Sequence, residues 1–190
     1  IAQQANGRIT VGGSFSRVRN ATRDNLARVR EDGAVDGTFT VGTARNQPVH
    51  GIVLDAHGKL AVGGLFTNLG GQPRRNLARV SLGSPCAADP GWRPDPDAEV
   101  LALTQDGQGR VIVGGAFTQI DGQPIQALAR FDGAVIDSAW RPLAPGLGRI
   151  TVRGLVATPE HVFAKAGQAI PGSNEAIGLL RFRSDGAPLE

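Results

Sequence analysis

The chain has 190 residues, 41% of them hydrophobic and 19% charged, with 20 Lys+Arg against 17 Asp+Glu. Length and apolar content suffice for one domain with a buried core, and the charge is too modest for wholesale disorder. The apolar runs are far shorter than a membrane span, and a single cysteine, Cys86, excludes an internal disulfide and a cysteine-based zinc cluster.

The charge is uneven, +5 over residues 1–95 and −2 over residues 96–190, and only Lys59 and Lys165 of the basic residues are lysine. The chain opens on Ile1 and contains no methionine, so it reads as a processed or excised piece. The closing Leu189-Glu190 reads as a native end or as a scar before a purification tag.

In chain order, a turn at Ala5-Asn6-Gly7 leads into a strand at 8–15 (RITVGGSF). A polar loop (SRVRNATRDN, 16–25), a strand (NLARV, 25–29), an Asp32-Gly33 turn and a last strand carrying Phe39 follow. The second pass runs VHGIVL (49–54), the turn AHG, KLAVGGLF (59–66), NLGGQPRRN (68–76), NLARV (76–80) and a segment with Trp92. The third runs VLALT (100–104), the turn GQG, RVIVGGAF (110–117), QIDGQPIQA (119–127), ALARF (127–131), Asp132-Gly133 and Trp140. Asp-Gly between apolar runs is a strong hairpin signal, and no segment shows helical periodicity. A fourth pass has drifted: Val162-Phe163-Ala164 keeps register, Lys165-Ala166 replaces a glycine pair, and Arg181-Phe182 returns to register.

One interval of 51 residues governs these passes. It separates Gly12, Gly63 and Gly114, their neighbours Gly13, Gly64 and Gly115, and the phenylalanines Phe15, Phe66 and Phe117. It also separates Arg28, Arg79, Arg130 and Arg181, and the basic residues Arg8, Lys59 and Arg110. Tandem units of this length with four short strands each predict an all-β fold, a β-propeller of four-stranded blades. About four blades are expected, near 1–46, 47–97, 98–147 and 148–190, in a single domain or fragment over 1–190. They form a closed small disc or an arc of a larger ring, whose open edges further blades or an oligomer would cover. A glycine pair weakens a strand but permits close backbone approach, so it is expected where adjacent blades crowd together, with the phenylalanine filling the gap farther out.

The pattern of Gly58-Lys59-Leu60-Ala61-Val62-Gly63-Gly64-Leu65-Phe66, then Asn76-Leu77-Ala78-Arg79, then Trp92-Arg93-Pro94, resembles the bacterial delta-sixty propeller repeat. Asp137-Ser138-Ala139-Trp140-Arg141-Pro142 is similar to the end of that unit. The resemblance covers nearly the whole chain, with a somewhat shorter period and a fourth unit lacking its glycine pair; kelch and fungal cortical polarity-marker propellers are more distantly similar. It implies a propeller in a large, often secreted or surface-attached bacterial protein without established enzymatic activity. It supplies no catalytic residues.

The recurrent Arg28, Arg79, Arg130 and Arg181 are expected to be structural, bridging strands or blades through carboxylates or carbonyls. The loops after the second strand are less regular. Arg23 and Arg74 are 51 apart, and Arg17, Arg19 and Arg75 lie beside them, a candidate anion-binding rim that the third unit lacks. No aromatic is interleaved there for base stacking, which argues against nucleic acid. Asn20-Ala21-Thr22 is a glycosylation sequon, read as inert. Trp92 and Trp140 share the position of Phe39 and are expected to pack blades rather than stack on sugars. His50, His57 and His161 are scattered, Asp95-Pro96-Asp97 lacks the other ligands of a calcium loop, and Gly146-Leu147-Gly148 precedes no helix. There is no tyrosine for a copper-radical site and no nucleophile elbow. His50, Asp55 and Asp106 are the candidates for a cation in the central channel.

These readings favour a non-enzymatic binding or structural scaffold module of a bacterial secreted or surface protein, extracellular or periplasmic, with no cofactor and no membrane insertion. Its partner would be an unidentified protein or glycan. Two alternatives stay open: a propeller enzyme of hydrolase or lyase type with a metal in the channel, and recognition of an acidic polymer by the arginine rim.

Overall fold

In a computed structural model that describes residues 1–83, 85–143, 148–168 and 176–186, every regular element is a β-strand. No helix among the described residues is long and apolar enough to cross a membrane. The strands form successive antiparallel sheets, the blades of an all-β propeller-type fold. Blade 1 holds β1 (Ala2–Gln3), β2 (Ile9–Gly12) and β5 (Leu26–Val29), with β3 (Arg17–Val18) and β4 (Ala21–Thr22) as a separate small hairpin. Blade 2 runs β6 (Val49–Leu54), β7 (Leu60–Gly64), β10 (Leu77–Ser81) and β11 (Ala87–Ala88) from inside to outside, with β8 (Asn68–Leu69) and β9 (Gln72–Pro73) as its hairpin. Blade 3 repeats this with β12 (Val100–Gln105), β13 (Val111–Gly115), β16 (Leu128–Asp132) and β17 (Val135–Ile136), and the hairpin β14 (Gln119–Ile120) and β15 (Gln123–Pro124). Blade 4 shows β18 (Ile150–Ala157), β19 (His161–Gln168) and β20 (Ala176–Arg183).

Two of the four blades thus show the expected four strands. In blade 1 the outer strand is reduced to one bridge, Val29 to Val35, and the residues that would follow β20 beyond Gly186 lie outside the described ones. Leu189-Glu190 and most of Gly146-Leu147-Gly148 lie outside them as well. The small hairpins are a departure from the polar loops expected after the second strands. Gly70-Gly71 and Asp121-Gly122 each place two consecutive residues at positive φ, the type I′ geometry that closes a two-residue hairpin.

Three apolar cores fill the joints between blades. Leu26 and Phe39 of blade 1 meet Leu60, Val62 and Val80 of blade 2; Leu77 and Trp92 meet Val111, Val113 and Phe131; Leu128 and Trp140 meet Val152, Val162 and Phe182. The glycine pairs explain how closely these sheets approach. A Cβ on Gly12 would stand 2.5 Å from Val49 Cγ1, one on Gly63 2.6 Å from Val100 Cγ1, and one on Gly114 would run into Val152, each on the inner strand of the next blade. The second glycine answers to a different neighbour. A Cβ on Gly64 would strike the Pro48 carbonyl oxygen and one on Gly115 that of Glu99, both in the chain entering their own blade's inner strand. The ladder slips one residue there, between Val49 and Gly51 and between Val100 and Ala102, so the bulge and the bare glycine share one turn of backbone. Phe66 and Phe117 are buried in the joints to the preceding blades, and Phe15 is half-buried.

Candidate functional site

The third strand of each of the first three blades carries its arginine inward. Arg28 donates through Nε to Asp36 Oδ2 at 2.9 Å, Arg79 to Asp89 Oδ2 at 2.9 Å and Arg130 to Asp137 Oδ2 at 3.0 Å. Each guanidinium also lies over an aromatic ring three residues beyond its aspartate, with its carbon 5.0 Å from the Phe39 centroid, 5.3 Å from Trp92 and 5.0 Å from Trp140. A second cation joins from the start of the second strand: Arg8 at 3.2 Å from Asp36, Lys59 at 2.8 Å from Asp89, and Arg110 at 3.9 Å from Asp137 while it holds the turn residue Asp106 at 2.8 Å. The aspartate is preorganised by its own turn. Asp36 Oδ1 accepts from Thr38 N and Oγ1, Asp89 Oδ1 from Gly91 N, and Asp137 Oδ1 from Ala139 N and Trp140 N.

Burial alone would raise the Asp36 carboxyl, but the Thr38 hydrogen bonds and the Arg28 charge outweigh it and hold its pKa at about 2. Asp89 and Asp137 are lowered in the same way: against the upward pull of burial, Lys59, Gly91 N–H and Arg79 act on the first, and Arg130 with the turn amides on the second. The network consumes its charges internally. Sequence reasoning missed these aspartates, although their interval of three to Phe39, Trp92 and Trp140 was available as a signal.

Arg181, the fourth member of the arginine series, pairs in register with Phe163 but is exposed.

The five rim arginines do not form one surface. Arg74 is 1% exposed, donates to the carbonyls of Pro73 at 2.6 Å and Asp89 at 2.8 Å, and faces the blade interior. Burial, then the charge of Arg93, pull its pKa below the ordinary value, with Asp95 and Asp89 opposing. Arg23 is its counterpart, half-buried, donating to Thr22 O and, at 3.4 Å, to Asp36 O. Both brace the carbonyl of the aspartate that holds the main arginine, so the expected five-arginine patch is corrected to three exposed members, Arg17, Arg19 and Arg75. Arg75 donates to Asp97 O at 3.3 Å, and Arg19 occupies a turn at φ 52°. The physical reason is the hairpin, which folds one side of the loop back under the blade.

The channel candidates are also apart. Asp55 and Asp106 are buried in the turns joining first and second strands, accepting from Lys59 N and Arg110 N, while His50 sits at the other end of β6, 3.5 Å from Glu99. Among the described residues no group of three or more His, Cys, Asp or Glu side chains is placed to hold a metal ion. Trp92 is 2% exposed, with Arg79 over its ring and Phe131 at 5.2 Å in an edge-to-face contact, so its ring is closed to a sugar. Cys86 is buried, with Sγ 3.1 Å from Gly83 O.

The open surface features lie between blades instead. A groove of about 480 Å³ between blades 1 and 2 is lined by Val41, Gly70, Gln72, Cys86 and Ala88. One of about 620 Å³ between blades 2 and 3 is lined by Pro94, Asp121, Gln123, Val135 and Ile136. They correspond at the hairpin, Gln72 with Gln123 and Gly70 with Asp121, each pair 51 apart. Both lie beside a two-residue outermost strand, β11 or β17, and a small hairpin.

A family model described as a β-propeller domain of unknown function, DUF5122, matches residues 4–39, 58–82 and 109–133. These segments contain the glycine pairs of the first three blades and the arginines Arg28, Arg79 and Arg130. No curated protein matches the chain.

Proposed function

We propose that this chain is a non-enzymatic binding module of the delta-sixty propeller type, part of a bacterial secreted or surface protein, which takes its ligand in the grooves between blades. One observation carries this reading. The groove recurs at two successive joints with the same frame, while its lining changes from Gly70, Cys86 and Ala88 to Asp121, Val135 and Ile136. A constant frame with varied lining is how a rigid scaffold presents recognition surfaces. The interior charges, by contrast, are committed to one another in each of the first three blades.

The test is binding of the intact chain to arrays of glycans and of extended peptides, followed by titration of the best hit. Gln123→Trp fills one groove and Gln72→Trp the other, both from exposed positions. Loss of at least tenfold in affinity from one or both supports the reading. Binding that neither substitution changes, or no ligand on either array, overturns it.

A further inference from the structure

Blades 2 and 3 each end in a short outer strand that is bonded on one side only. In blade 2, Asp89 N donates to Arg79 O at 2.7 Å, and the register sets Val80 opposite Ala88 and Ser81 opposite Ala87. In blade 3, Asp137 N donates to Arg130 O at 2.9 Å, with Phe131 opposite Ile136 and Asp132 opposite Val135. Antiparallel pairs alternate between bonded and non-bonded, so Ala88 and Ile136 fall in non-bonded pairs and turn N–H and C=O away from the sheet. Among the described residues, no hydrogen bond takes these groups, and no strand pairs with the outer side of β11 or β17. Ala88 lines the groove between blades 1 and 2, and Ile136 the groove between blades 2 and 3. Each stands just before the aspartate of the arginine network. Asp89 and Asp137 are held by Arg79 and Arg130 and by their own turn amides, so each open edge is fixed in place.

We propose, on the reading that these grooves hold the ligand, that the ligand is an extended peptide adding one strand to the outer edge of a blade, paired with Ile136 or with Ala88. A strand edge calls for a partner with backbone N–H and C=O at strand spacing, which a peptide has and a glycan lacks. In antiparallel pairing the peptide residue facing Ile136 makes both bonds, accepting from its N–H and donating to its carbonyl. The side chain of that residue falls on the Ile136 face of the sheet. Ile136 packs on that face against the core between blades 2 and 3, so the peptide side chain turns into the groove. The next peptide residue falls on the Val135 face, and Val135 is 70% exposed. The favoured peptide therefore carries two adjacent apolar residues. At the other edge the equivalents are Ala88 and Ala87, which offer less apolar contact, so that groove binds more weakly. A two-residue edge presents one such N–H and C=O pair, enough for a short peptide and too little to template a long sheet. Its rigidity lowers the ordering cost of docking.

The probe is a displayed library of random linear peptides selected on the full chain, with the best peptide resynthesised carrying an N-methyl group on each backbone amide in turn. Methylation of the residue paired with Ile136 should weaken binding about tenfold, the effect of one hydrogen bond left unmade, while methylation of its two neighbours changes it little. Ile136→Pro removes the free N–H without touching the ladder and should weaken the same peptide by a similar factor, whereas Ile136→Val keeps the affinity; circular dichroism checks that both fold. Should the proline variant misfold, the methylation series decides by itself. Failure to select any peptide, or a selected peptide that methylation weakens at no position, would overturn the proposal. A glycan whose binding Gln123→Trp abolishes, with no peptide selected, would keep the grooves as binding sites and overturn the peptide assignment alone.

Discussion

Blades 2 and 4 carry the same arginine in the same register, yet only blade 2 gives it a structural task. Arg79 is buried between Asp89, Asp55 and the Trp92 ring, while Arg181 stands exposed opposite Phe163. Blade 2 has a bare glycine facing its neighbour where blade 4 has Lys165. A repeated residue therefore means little alone. The arginine acts only with a carboxylate preorganised three residues before an aromatic and with a neighbouring sheet close enough to exclude water.

Replacing both arginines tests that difference most severely. Arg79→Met leaves buried Asp55 without a counter-charge and Asp89 with Lys59 alone, and should cost about 3–5 kcal/mol. Arg181→Met touches an exposed side chain and should stay within about 0.5 kcal/mol of the unmodified protein. Urea midpoints at pH 7 measure both. Equal losses would dissolve the distinction between complete and drifted blades. Glycine gives the next largest contrast. A methyl on Gly115 meets the Glu99 carbonyl, which belongs to backbone and cannot swing away, so Gly115→Ala should cost about 3 kcal/mol. Gly178 in β20 has nothing within 4 Å of a Cβ position, and Gly178→Ala should be neutral or stabilising by about 0.5 kcal/mol.

Acid separates the blades through their aspartates. Asp36 has a folded pKa of about 2, below the ordinary 3.8, so its stabilisation is complete above about pH 4 and disappears as pH falls through 2. The shift corresponds to about 2 kcal/mol at this nearly buried carboxylate. Asp89 and Asp137 are lowered too and add losses of the same sign. Urea midpoints between pH 5 and pH 2 should fall for the unmodified chain, and less steeply for Asp36→Asn, which is destabilised at pH 7 but has no proton to gain there. Parallel pH profiles would mean that Asp36 is not held by Thr38 and Arg28 in solution.

Much of the frame is readable from one interval because close packing of sheets admits few residues at VGG, and a repeat writes that restriction three times. The reason for the second glycine is not readable, since it depends on a bulge in a strand that approaches from outside the motif. The candidate rim fares worse for a similar reason. Arg74 and Arg75 are adjacent letters, but just after β9 the first is buried and donates to Asp89 O while the second is exposed and reaches Asp97 O. The aspartates escaped notice because a single Asp before a turn is commonplace. Only its shared distance to Phe39, Trp92 and Trp140 marks it as part of the arginine site.

The smallest contrast lies at the entry to the third strand. Asn25 and Asn76 sit there at φ 64° and 59°, each accepting through Oδ1 from the phenylalanine amide ten residues back. Asn25 Nδ2 donates to Thr43 Oγ1 and Asn76 Nδ2 to Pro96 O, which ties the third strand to the connection into the next blade. Blade 3 places Ala127 in the same left-handed conformation, φ 57°, with no side-chain polar group to offer. Asparagine tolerates that region through local hydrogen bonding; alanine does not. Ala127→Gly removes the clash of Cβ with the backbone and should stabilise the chain by about 1 kcal/mol, raising Tm by about 2–4 °C. Asn76→Ala imposes on blade 2 the conformation blade 3 already bears and breaks two buried hydrogen bonds besides, so it should lose more than Ala127→Gly gains. If Ala127→Gly instead lowers Tm, the entropy of a freer unfolded chain outweighs the strain, and the third joint is held by Leu128 and Trp140 rather than by relaxed backbone at its entrance.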